Sequence, residues 1–231
     1  SEFLAARGAR VVMAARRIGR LEELKCHIAA AGGVTPLPLE LDVADPDSVT
    51  AAFRALDRQG IVLDVVINNA GIAESAAALD TPLDAFDRVM DVNLRGVWLV
   101  ATEAAKRWWQ AGRGGVIVNI ASILAERVAG AVAPYAASKA AVAQLTKALA
   151  LEWARHDIRV NALAPGYIAT EINGDFIATP AGAALLKRIP MRRIAEPSEL
   201  DGPLLLLCSG ASSFMTGAIL AADGGHLVSS L

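Results

Sequence analysis

The sequence has no excess of positive charge: 22 Lys and Arg stand against 24 Asp and Glu, a formal net charge of -2. A nucleic-acid binder needs a basic surface to meet phosphates, so that class is excluded. Cysteine is scarce. Cys26 and Cys208 lie far apart among apolar neighbours, form no CxxC pair, and have no metal-ligand spacing with His27, His156 or His226. Neither a disulfide scaffold nor a metal site is indicated, and a reduced cytoplasmic protein is expected. Aromatic residues make up only 5%, whereas hydrophobic residues reach 54%. The apolar content is therefore mostly alanine and aliphatic side chains. That suits helices packed closely on a sheet and excludes a disordered chain. The longest uncharged stretch, 202–222, is interrupted by Pro203, Ser209, Gly210, Ser212, Ser213 and Gly217, so no membrane span is expected. No signal peptide is expected either.

What is present is an alternation of strand and helix signals within 231 residues, a length that suits one α/β domain. Short apolar runs at 10–15, 35–41, 63–67, 115–120, 158–163 and 218–221 read as strands. Helical patterns fill the intervals: 17–31, 45–58, 83–93, 94–111, 135–155 and 198–207. Asp45-Pro46 is a good cap and first-turn pair. Continuous apolar strands between amphipathic helices predict a parallel sheet covered on both faces, a single doubly wound domain over 1–231. In such sheets ligands bind beyond the carboxyl ends of the strands. The residues to read for chemistry are therefore those just after each strand.

Tyr135 and Lys139 stand four apart on one predicted helix and share a face. A phenol titrates near pH 10, too high for acid–base work at neutrality, and a neighbouring ammonium lowers it. Alone, such a pair is usually an ordinary surface contact. Ser122 adds context, since it follows the strand at 115–120 and can meet Tyr135 in one crevice, its hydroxyl donating to a substrate oxygen. Asn93 is polar within an apolar helical pattern. It reads either as a buried amide satisfied by backbone or as the holder of a bound water.

In this order, Asn68-Asn69-Ala70-Gly71, Asn93, Ser122, Tyr135-x3-Lys139 and Pro165-Gly166 resemble the short-chain dehydrogenase/reductase family. Leu41-Asp42-Val43 and Asp223-Gly224-Gly225 fit the same pattern, and the resemblance covers essentially the whole chain. It implies a Rossmann-type sheet and hydride transfer between a nicotinamide dinucleotide and a small carbonyl or alcohol. It implies Tyr135 as general acid or base and Lys139 as the group that binds the nicotinamide ribose and lowers the Tyr135 pKa. Ser122 would polarise the carbonyl, and Asn93 would hold a water linking Lys139 to solvent. Asp42 and Val43 would border the adenine, and Asn69, Ala70 and Gly71 the adenosine ribose. Pro165, Gly166, Ile168 and Thr170 would lie beside the nicotinamide and its phosphates. The segment 171–193 resembles a substrate-covering loop, with Ile123, Leu124, Val128, Tyr167 and Phe176 as apolar neighbours of the reacting centre. Helices 94–111 and 135–155, which carry the four tryptophans, would pair subunits in a homodimer or homotetramer.

The cofactor can be narrowed further. The turn after the strand at 10–15 carries Arg16 and Arg17 and no acid. A carboxylate there would bind ribose hydroxyls and repel a 2′-phosphate, whereas guanidinium groups bind phosphate. The expected cofactor is NADP, with NAD the lesser alternative and Arg16 the residue for the 2′-phosphate. The pattern departs from the family in one place. The first strand and the glycine-rich turn after it are absent from the sequence, which leaves a strand missing between 10–15 and 63–67. The leading expectation is a longer natural polypeptide. The alternatives are a truncated form that still folds and a non-catalytic scaffold that no longer binds cofactor well.

Overall fold

The computed structural model describes residues 1–169 and 179–229. Strand β1 (Val12–Ala15) pairs with β2 (Leu37–Glu40), and β3 (Val65–Asn68), β4 (Gly115–Ile120), β5 (Ile158–Pro165) and β6 (Ile219–Ala222) form a second sheet in that order. Every pairing is parallel. Each strand lies within two residues of its predicted span at either end. Among the described residues no strand joins the two sheets. The interruption falls between β1 and β3, where the missing strand is expected.

Parallel neighbours must be joined by crossovers, and helices supply them. Helix α1 (Glu2–Ala5) precedes β1, and the connections between strands carry α2 (Ile18–Ala30), α3 (Pro46–Arg58), α4 (Leu83–Met90), α5 (Gly96–Gln110), α6 (Ala133–Trp153), α7 (Pro180–Leu186) and α8 (Asp201–Cys208). Helix α3 starts as its sequence dictates: Asp45 Oδ1 accepts from the Asp47 amide at 2.9 Å, with Pro46 in the first turn. Its Val49, Ala52, Phe53 and Leu56 recur at helical spacing and are buried. Val49, Ala52 and Phe53 pack with Ala101, Ala104, Ala105 and Trp108 of α5 and with Ile117, Ile158 and Val160 of the sheet. Burying one large aliphatic side chain contributes about 1.5–3 kcal/mol, so this cluster is a main source of stability.

The helical patterns at 83–93 and 94–111 correspond to α4 and α5, but the junction is not a break. A π-helical segment, Asp91–Arg95, carries the chain from one helix to the other, and Asn93 inside it is fully buried. One extra residue per turn rotates the following face and often marks a functional position. Of the span 171–193, residues 171–178 lie outside the described residues. Beyond them α7 ends in a turn, and Ile168 forms a parallel bridge with Ala195.

Trp108 is a hub at the opposite end of the sheet from the site. Its indole Nε1 donates to Leu63 O at 2.7 Å, and Gly115 opens β4 directly over its ring. A methyl group at Gly115 would enter the van der Waals envelope of that ring. Gly115→Ala is expected to destabilise the protein by about 2 kcal/mol or more in urea titration. A change within about 0.5 kcal/mol would contradict this packing.

Candidate active site

The carboxyl ends of β3, β4 and β5 converge with the first turns of α6. Ser122 leaves β4 in extended conformation and caps a short 3-10 turn, its Oγ accepting from the Leu124 amide at 3.1 Å. Pro134 falls in the first turn of α6, where a missing N–H costs nothing. Tyr135 follows it, and Lys139 lies one turn further along. Lys139 is 4% exposed, and its ammonium donates to Ile120 O at the end of β4, at 2.7 Å. It lies 5.6 Å from the centre of the Tyr135 ring.

Asn93 ties the π-helical segment to this cluster. Its Nδ2 donates to Ile72 O at 2.9 Å and to Ser138 Oγ at 3.0 Å, and its Oδ1 accepts from the Ile72 amide at 2.8 Å. Ser138 Oγ in turn donates to the Tyr135 carbonyl at 2.7 Å. Both amide N–H groups are therefore used within the protein, which matches the reading of Asn93 as a buried amide satisfied largely by backbone. Gly71 lies against the same pair. A Cβ at this position would stand 3.4 Å from Asn93 Oδ1 and 3.5 Å from Lys139 Nζ.

Burial sets the proton affinities. Removing an ammonium from water disfavours its charge, and Lys139 falls to about 8. The same cause pushes the Tyr135 phenol upward, opposed by a hydrogen bond with Ser122. The expectation that Lys139 pulls this phenol down is not met here. The ammonium is directed to the Ile120 carbonyl, and desolvation outweighs the other influences on Tyr135.

The remaining candidates line the strand ends. Arg16 follows β1 and is exposed, and Arg17 is the cap residue of α2. Among the described residues neither guanidinium forms an ion pair. Asp42 Oδ1 accepts from the Ala44 amide at 3.0 Å, and its own amide donates to Ser48 Oγ at 2.9 Å. Val43 packs on Gly96, where a Cβ would come within 2.8 Å of its methyl group. Asn69, Ala70 and Gly71 are exposed after β3. Pro165 closes β5, and Gly166 passes close to the Asp223 backbone. Ile168 lies beyond it at the bridge to Ala195, and Thr170 and Phe176 fall outside the described residues. No cluster of His, Cys, Asp or Glu among the described residues could hold a metal. No described helix is long and apolar enough to cross a membrane.

Sequence reading missed the polar chain beneath the site. Asn68 Nδ2 donates to Asn119 Oδ1 at 2.9 Å, Asn119 Nδ2 to Thr146 Oγ1 at 2.9 Å, and Thr146 Oγ1 to Val142 O at 2.8 Å. Asn119 and Thr146 are fully buried, so this chain locks β3, β4 and α6 in register beneath Tyr135 and Lys139. The available signal was Asn119 inside the apolar strand Gly115–Ile120.

Known proteins resemble this chain in sequence and fold. A family model described as enoyl-(acyl carrier protein) reductase matches residues 1–226. Gluconate 5-dehydrogenase of Gluconobacter oxydans is 37% identical over 98% of this chain and 88% of its own length. Galactitol 2-dehydrogenase (L-tagatose-forming) of Cereibacter sphaeroides is 40% identical over 97% of this chain and 87% of its own. The crystal structure of a gluconate 5-dehydrogenase from Burkholderia cenocepacia, in complex with NADP and tartrate, superposes with a TM-score of 0.93. It is 35% identical and covers 99% of this chain and 89% of its own. Parallel sheet, strand-end site and full-length similarity agree, and the chain belongs to the short-chain dehydrogenase/reductase family.

Proposed function

We propose that this enzyme interconverts a carbonyl and a secondary alcohol with NADP(H), using Tyr135 as general acid and base. The observation that carries the reading is Lys139. Its ammonium has three donors, is almost fully buried, and has one acceptor among the described residues, Ile120 O. A buried cation with unused donors fits the hydroxyl groups of a nicotinamide ribose, and Gly71 leaves room beside it. When bound, the nicotinamide supplies or accepts the hydride. Ser122 orients the reacting oxygen. Tyr135 delivers its proton to that oxygen in reduction and takes it back in oxidation. The Asn93 amide is spent on Ile72 and Ser138, so a water held at this residue would use its backbone carbonyl. Asp42, Val43 and residues 69–71 would border the adenosine half. Pro165, Gly166 and Ile168 would border the nicotinamide half, continued at Thr170 outside the described residues.

Arg16 supports NADP over NAD, being an exposed guanidinium at a strand end with no carboxylate beside it. The relative from Burkholderia cenocepacia was crystallised with NADP. Two free thiols, Cys26 and Cys208, fit a cytoplasmic setting. A homodimer or homotetramer is supported by apolar side chains left in water on the two long helices. Trp109 is 62% and Leu151 84% exposed.

Tyr135→Phe is expected to retain NADPH binding, followed by fluorescence, and to lose about 100-fold to 10,000-fold in ketone reduction. Reduction at the parent rate would remove Tyr135 from the mechanism, and failure of the parent to bind NADPH would favour a non-catalytic scaffold. Arg16→Asp is expected to weaken NADPH relative to NADH by about tenfold or more, read from the ratio of kcat/KM values. An unchanged ratio would release Arg16 from this role. Light scattering at micromolar concentration should give at least twice the subunit mass. A single-subunit mass would exclude the assembly.

A further inference from the structure

Helix α6 is tied to β4 by two side-chain hydrogen bonds. Lys139 Nζ donates to Ile120 O at 2.7 Å, and Thr146 Oγ1 accepts from Asn119 Nδ2 at 2.9 Å. Lys139 and Thr146 are seven residues apart, about two helical turns, so both face β4 along one line. Two anchors on one line fix where α6 crosses the strand. They do little to stop the helix from rolling about that line. The roll matters because Tyr135 lies one turn before Lys139, and its phenol shares a hydrogen bond with Ser122.

A third bond leaves α6 in another direction. Ser138 directly precedes Lys139 and stands about 100° around the helix axis from it. Its Oγ accepts from Asn93 Nδ2 at 3.0 Å and donates to the Tyr135 carbonyl at 2.7 Å. Ser138 and Asn93 are both fully buried. Asn93 in turn is held by Ile72, donating to its carbonyl at 2.9 Å and accepting from its amide at 2.8 Å. One hydroxyl thus joins the loop after β3, the π-helical segment and the backbone of Tyr135. Helix preference does not account for a serine here. Ala136, Ala137, Ala140 and Ala141 surround it, and alanine is the better helix former. A roll of α6 would separate Ser138 from Asn93 and leave a buried N–H unpaired, so the roll is opposed.

We propose that Ser138 is a positioning residue: its bond to Asn93 fixes the roll of α6 and so places the Tyr135 phenol against Ser122. It acts through Tyr135 and carries no proton to the substrate itself. The proposal rests on the oxidoreductase reading above and adds one residue to its machinery. Misplacing a reacting group by about 1 Å costs on the order of 100-fold in rate. Substrate affinity is set by other groups, so the loss should fall on kcat and spare KM. Proton delivery should also slow relative to the other steps, which enlarges the solvent deuterium isotope effect on kcat.

The test compares the parent with Ser138→Ala and Ser138→Thr, using NADPH and whichever of cyclohexanone, acetoin and dihydroxyacetone the parent reduces fastest. Ser138→Ala should lower kcat by roughly 10- to 100-fold, leave KM within about threefold and raise the solvent isotope effect. Ser138→Thr keeps the hydroxyl and should stay within about threefold of the parent kcat. The chain has two tyrosines, so carbon-13 labelling of the tyrosine Cζ gives an NMR readout that needs no turnover. Tyr135→Phe identifies the Tyr135 resonance, Ser138→Ala should shift it, and Ser138→Thr should leave it in place. A parent kcat in Ser138→Ala, or equal losses in the alanine and threonine variants, overturns the proposal, and so does an unshifted resonance. Should Ser138→Ala not fold, Ser138→Cys, similar in size with a weaker donor, is read by the same outcomes. No ketone turnover by the parent, with the resonance shifted in Ser138→Ala, would sink the oxidoreductase reading and keep Ser138 as the residue that places Tyr135. Turnover lost in Tyr135→Phe and unchanged in Ser138→Ala would sink the positioning role alone.

Discussion

The ammonium of Lys139 is held out of water against the carbonyl of Ile120, and the rest of the site is arranged around the cost of that burial. A buried cation needs acceptors in fixed places. One is supplied by the carboxyl end of β4, which requires α6 to lie across that strand in one register. The register is held by the Asn68–Asn119–Thr146 chain, whose members come from β3, β4 and α6. Packing without these bonds would leave the Asn68 and Asn119 amides buried and unpaired, each a penalty of about 1–3 kcal/mol. The polar chain thus fixes the position from which Tyr135 and Lys139 project.

The second constraint is on the other side of Lys139. Gly71 lies beside both Asn93 and the ammonium, and Asn93 depends on an unusual backbone. Gly71 follows β3, and a Cβ there would stand in ordinary contact with both groups. Asn93 lies in a π-helical segment, which turns its amide inward to pair with Ile72 and Ser138. A regular helix through 83–110 would rotate Asn93 to a different azimuth. The irregular turn is therefore part of how the site is built, in keeping with the tendency of π-bulges to fall at functional positions.

Much of the site was legible in the sequence because its spacing is local. Tyr135 and Lys139 are one helical turn apart, and Ser122 follows an apolar strand, so the carboxyl-end rule brings them together. The same rule singled out Arg16, which follows β1. The electrostatics were less so. Proximity of Lys139 to Tyr135 suggested a lowered phenol pKa, but exposure to water cannot be read from spacing, and burial raises it. The roles of Asn119 and Thr146 were also hidden. Their partners lie at separations such as 27 and 51 residues, and no short pattern encodes contacts of that kind.

The sequence by itself determined the alternation of strands and helices, the parallel sheet, and the order of chemistry-bearing residues along the strand ends. Those follow from side-chain periodicity and chain connectivity, which are properties of neighbouring residues. Only the tertiary structure decided which polar groups are buried together, that Lys139 has one acceptor among the described residues, and that His226 Nδ1 is buried without a described partner beside Tyr167. Those depend on solvent exclusion and on distances between residues remote in the chain. Both arise when the layers pack.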